Sequence, residues 1–233
     1  KEADLGYVGA KAAAWGAKDL ARGTGTVRIT AKADRESSQA AIVSDGRLVM
    51  QKAAVDGVPL TEGDITCIWS ETRYGPATGA LRVKTADLQA GIASASVTNG
   101  QVQFLSDLAV DGKIEATADV AKCLATVARI LKWKETPRVA GRMSLETRCA
   151  SDKGILGVTG TCRVEDLAIG AGTKTVREKQ LSLTYDASLN RGTATAALKK
   201  LELASGLLSL RAAGTADEYT NTCVLALKGD YEG

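Results

Sequence analysis

Apolar side chains recur at every second position through most of this chain, and that period limits its fold more than any other feature. In GTVRITAKAD, Val27, Ile29 and Ala31 alternate with Arg28, Thr30 and Lys32; in QLSLTYDASL, Leu181, Leu183, Tyr185, Ala187 and Leu189 alternate with polar neighbours. DITCIWS, KIEATADV (Ile114, Ala116, Ala118) and RMSLETRC (Met143, Leu145) have the same form. Successive side chains of a strand point to opposite faces, so each segment predicts a half-buried strand with one apolar and one polar side. Asp45-Gly46, Asp56-Gly57, Asn99-Gly100 and Asp111-Gly112 accept the positive φ of tight turns and predict antiparallel hairpins. The three prolines, at 59, 76 and 137, fall in predicted connections and leave the ladders uninterrupted.

The strand text also repeats. AIVSDGRLVM (41–50) aligns with ASVTNGQVQF (95–104), with Val43 on Val97, Gly46 on Gly100 and Leu48 on Val102. LRVKTADLQAG (81–91) is echoed by CRVEDLAIG (162–170). Together the echoes predict a sheet extended by repeated hairpin units.

One segment breaks the pattern. In TADVAKCLATVARILKW, Val120, Cys123, Leu124, Val127, Ile130 and Leu131 share one helical face, while Lys122, Arg129 and Lys132 lie mostly on the other. The spacing predicts one amphipathic helix at about 119–133, capped at its N-terminus by Asp119, with cations where the helix dipole favours them. Its Leu124, Val127 and Leu131 side is expected to pack onto the apolar face of the sheet. With charges inside it, the segment is too short to span a bilayer.

The sequence contains no histidine, which excludes Ser-His-Asp and Cys-His nucleophiles and histidine-containing metal sites. Glu115, Glu146, Glu165 and Glu202 each stand opposite apolar neighbours on alternating strands and are expected on a solvated face. RGTGT (22–26) and GAGTKT (170–175) do not match the phosphate-loop pattern. Five cysteines without a CxxC pair, Cys67, Cys123, Cys149, Cys162 and Cys223, read as small core hydrophobes. A formal net charge of +3 from 30 basic and 27 acidic residues carries no nucleic-acid footprint. These features predict a non-enzymatic chain without metal, cofactor or nucleic-acid partner.

The run GKIEATADVAKCLATVARILKWKETPRVAGRMSLETRC, followed by VEDLAIG, EKQLSLTYDASLN, LKKLELASGLLSLRAAGT and CVLALKGDYEG, resembles the C-terminal region of bacterial AsmA-like proteins, the wider group that includes TamB. The resemblance covers residues 78–233; residues 1–77 are of the same repetitive β style. It implies a long antiparallel sheet curled into a groove, in a periplasmic or envelope protein whose membrane anchor and further repeats lie outside this segment. It also implies lipid acyl chains as partners, shielded on an apolar face.

The expectation is therefore mainly β: one continuous β-rich segment, 1–233, of a larger protein, forming a long curved antiparallel sheet of about a dozen or more strands, groove or sandwich-like, with one helix. Ile114, Ala116, Met143, Leu145, Leu181 and Leu183 are expected on its lipid-facing or core apolar face. The alternative function is a structural or adhesive β-sandwich module of a large surface protein, with all its apolar faces internal.

Overall fold

The computed structural model describes residues 2–4, 23–36, 41–103, 109–171, 174–190, 192–217 and 222–231. It is mainly β, and its strands form one antiparallel sheet that stays open and does not close into a barrel. In chain order the strands are β1 (Glu2–Asp4), β2 (Gly23–Glu36), β3 (Ala41–Val55), β4 (Val58–Pro59), β5 (Ile65–Gly75), β6 (Ala80–Ala90), β7 (Ala93–Gln103) and β8 (Ala109–Asp119). Helix α1 (Val120–Ile130) follows, then β9 (Arg138–Asp152), β10 (Ile155–Ala171), β11 (Lys174–Asn190), β12 (Thr195–Ala204), β13 (Leu208–Asp217) and β14 (Thr222–Tyr231). Spatial order follows chain order throughout, with the two-residue β4 pairing β3 off the main path. The boundary at residue 78 falls in the turn between β5 and β6, which are directly paired, so the sheet runs through it without a break.

Of the four Asx-Gly pairs, only Asp56-Gly57 forms a turn, between β3 and β4. The other three lie inside strands, which corrects the hairpins expected there. Asp45-Gly46 sits where the β3–β5 register shifts, and the Asp45 carboxylate accepts the backbone N–H of Glu71 at 2.7 Å. Asn99 has φ of 50° at the register shift between β7 and β8, and Gly112 has φ of 149° on the partner strand. A bulge with a residue at positive φ uses the same conformational freedom as a tight turn, so Asn99-Gly100 alone does not distinguish them. The repeated AIVSDGRLVM and ASVTNGQVQF segments therefore differ in role: β7 carries its bulge at Asn99-Gly100, whereas opposite Asp45 the extra residue lies in β5, where Glu71 takes φ of 45°. The glycines of RGTGT fall in β2 at another register shift, and residues 172–173 of GAGTKT lie outside the described residues.

The helix forms where the apolar period changes. Asp119 ends β8 and caps α1, its carboxylate accepting the Lys122 N–H at 3.0 Å. The helix touches β8 and β9 at one end and β4 at the other. Strands β3 and β8 are four sheet steps apart, about 19 Å, comparable to the roughly 16 Å of an eleven-residue helix. It therefore lies across one end of the sheet, where Ala53, Ile65 and Ala118 are buried.

The expected packing face of the helix requires correction. Leu124 is half-buried, but Val127 is 42% and Leu131 59% exposed; the buried helix residues are Thr126 and Ala128. Small side chains let the helix backbone approach the strand ends, and Cys123 Sγ donates to the Ile92 carbonyl at 3.7 Å. The bulkier leucine and valine side chains are left pointing away.

Candidate functional site: an apolar stripe across the sheet

Residues directly paired across antiparallel strands share a face, so the register allows a side-chain row to be followed from strand to strand. One row runs Ile29, Leu48, Cys67, Leu88, Ala95, Ala116, Leu145, Cys162, Leu183, Leu203, Leu210 and Gly229. It crosses β2, β3 and β5 through β14, twelve strands, without one polar residue. Eleven steps at about 4.8 Å make it roughly 50 Å long.

A flanking row on the same face carries Trp69, Ala86, Val97, Ile114, Thr147, Gly160, Tyr185 and Leu201. On the other flank Ala93, Ala118, Met143, Val164 and Leu181 follow one another. The register thus brings all six expected apolar-face residues, Ile114, Ala116, Met143, Leu145, Leu181 and Leu183, onto one side of β8, β9 and β11, with Cys162 and Val164 of β10 between them. Each is half-buried, sheltered by its neighbours within the sheet.

The opposite face reads differently in every strand. Its central row is Thr30, Arg47, Ile68, Asp87, Ser96, Glu115, Glu146, Thr161, Thr184, Glu202, Arg211 and Lys228, with Ile68 its one apolar member. Glu115 and Glu146 are directly paired like charges, and Lys113 bridges them at 2.9 and 2.8 Å. The hydrogen bond and charge of Lys113 hold the Glu146 carboxyl below its usual range. Farther along, Glu202 binds Lys200 at 2.9 Å and Arg211 at 3.2 Å, and Lys200 lowers its carboxyl likewise. All four glutamates singled out from the sequence project from strands as part of ordinary strand chemistry; Glu115, Glu146 and Glu165 are exposed and Glu202 half-buried.

A shallow depression of about 530 Å³ also lies on this polar face, with Asp87, Ser96, Thr117, Glu146 and Arg163 in its lining. Cross-strand pairs such as Ser94 with Thr117 at 2.8 Å occupy its polar groups. Among the described residues, no cluster of three or more histidine, cysteine or acidic residues has a geometry fit for a metal ion.

Apart from the helix contacts, the substantial contacts between described elements are all between sheet neighbours. No second layer of described residues therefore covers the central apolar row, and its Ile29 and Leu88 are 43% and 40% exposed. The chain exposes 15510 Å², where a compact monomer of its mass would expose about 10,000 Å². No large side chain is fully buried among the described residues. The sequence pattern marked the apolar face on three strands, β8, β9 and β11; its extension through twelve became visible only when the register joined weakly patterned strands such as β7.

Comparison with protein-family models, curated proteins and solved structures returns no match. Among the described residues, no helix is long and apolar enough to cross a membrane.

Proposed function

We propose that this chain is a non-catalytic segment of an AsmA- or TamB-like cell-envelope protein and that it shields or conducts lipid acyl chains along the apolar face of its sheet. The observation that carries this reading is the uninterrupted apolar row across twelve strands with no described layer over it. Apolar surface in water costs about 25 cal/mol per Å², so a face of this extent calls for a nonpolar occupant. A row running perpendicular to the strands offers that occupant a path along which every position is chemically alike, and the polar back of the sheet keeps the assembly in water. An adhesive β-sandwich would instead close its apolar faces against a second sheet, whereas the described strands make one.

The protein, purified without detergent exchange, should carry lipid recoverable by solvent extraction and mass spectrometry. Leu145→Glu and Leu183→Glu, placed two strands apart in the central row, should reduce the recovered lipid while circular dichroism remains that of a β protein. Lipid-free protein whose apolar faces pair in a lipid-independent dimer would overturn the reading.

A further inference from the structure

The helix that crosses the sheet end presents an apolar surface that the sheet does not use. Val127, Leu131 and Trp133 are 42%, 59% and 44% exposed, although the neighbouring Thr126 and Ala128 are buried. This surface is fixed in place. The N–H of Leu131 donates to the Val127 carbonyl and that of Trp133 to the Ala128 carbonyl, both at 2.9 Å, while Lys132 takes φ of 54°. The exit of the helix is thus a closed turn that holds Leu131 and Trp133 outward.

The charges around it are mostly positive. From Val120 to Lys134 the charged residues are Lys122, Arg129, Lys132 and Lys134, all four exposed; Asp119, whose carboxylate caps the helix, and the exposed Glu135 flank the run, so residues 119–135 carry a net charge of +2. Exposed leucine, valine and tryptophan beside a cationic helix face are the requirements for lying in a bilayer interface, with apolar groups at the acyl boundary and cations among anionic headgroups. Tryptophan in particular suits that boundary, with an apolar ring and one N–H.

We propose that α1 and its exit turn form a docking element for an anionic membrane surface, which would bring the strand ends beside the apolar stripe, between β3 and β9, against a bilayer. The proposal concerns the helix alone and does not depend on what the sheet carries. A second copy of the chain or an apolar protein surface would lack the demand for anionic charge that the four cations impose.

Flotation of the 233-residue chain with vesicles tests it. Binding should be strong to phosphatidylglycerol–phosphatidylcholine mixtures, weak to pure phosphatidylcholine, and reduced by high salt. Leu131→Asp, at an exposed position where folding should survive, should weaken binding at least about tenfold. Lys132→Glu/Lys134→Glu should weaken it by roughly fivefold per cation. Co-purified lipid should persist in these variants, which separates failure of docking from failure of the acyl-chain reading. Equal binding to neutral and anionic vesicles, or binding unchanged by Leu131→Asp, would overturn the proposal, as would a change confined to self-association in sedimentation velocity.

Discussion

Tyr185 lies across Gly160 of the neighbouring strand, its hydroxyl oxygen 2.5 Å from where a Cβ on that glycine would sit, and it hydrogen-bonds Thr147 one strand farther on. The three residues stand side by side in the flanking row of the apolar face. Trp69 covers Gly46 in the same row at the other end of the sheet, and its indole N–H donates to Ser44 Oγ at 3.2 Å. In both places a ring replaces the side chain that glycine lacks and restores apolar cover to the sheet. Gly160→Ala should therefore destabilise by about 1–3 kcal/mol through overpacking, measured as a loss of denaturation midpoint. The double variant Gly160→Ala/Tyr185→Ala should lose less than the sum of the two single losses; a simple sum would show that the ring and the glycine do not interact.

A second prediction concerns the start of the helix. Because the Asp119 carboxylate accepts the Lys122 N–H, Asp119→Ala should cost about 0.5–2 kcal/mol and Asp119→Asn much less. Thermal melts of the three proteins check this. Equal losses for alanine and asparagine would place the contribution of Asp119 in its charge instead of its capping bond.

The strand periodicity and the helix Val120–Ile130 were both readable in the sequence, because alternation of the kind seen in Leu181, Leu183 and Tyr185, and its replacement by a three-to-four-residue period after Asp119, have direct geometric meanings. The Asp119 cap was equally plain. What the sequence left open was decided by pairing: Asn99-Gly100 serves a bulge as well as it would serve a turn, Asp45-Gly46 lies in a strand opposite a bulge of β5, and only the partner strand selects among these roles. The helix face was misjudged for a related reason. Leu124, Val127 and Leu131 form a sound apolar stripe, but close approach to the strand ends favours Thr126 and Ala128, whose small size a hydrophobicity pattern does not register.

The ion pairs on the polar face make stability depend on pH. The Lys113 ammonium holds the Glu146 carboxyl below its ordinary value of 4.5. A carboxyl depressed on folding contributes stability that is fully present above its unfolded pKa and is lost as pH falls through the folded value. The melting temperature should thus decline as pH drops below 4.5, and Glu146→Gln should flatten part of that decline. Both partners are substantially exposed, with side chains 44% and 62% accessible, so the difference should be small and should shrink further in high salt. A Glu146→Gln profile parallel to that of the parent protein would remove the pair from the pH response.

Cysteine chemistry provides a test of whether the stripe is occupied. Cys67 and Cys162 both belong to the central apolar row, while Cys123 lies on the helix with its thiol bonded to the Ile92 carbonyl. Burial pushes the Cys162 and Cys123 thiols above their ordinary value of 9.0, so alkylation of both should be slow near neutral pH and quicken as pH rises, because the thiolate is the reacting form. An acyl chain on the stripe would block access to Cys67 and Cys162 without reaching Cys123. Site-resolved mass spectrometry after maleimide treatment should therefore show slower labelling of the two stripe cysteines in lipid-loaded than in delipidated protein, with Cys123 unchanged. Equal labelling in both preparations would mean that bound lipid lies elsewhere.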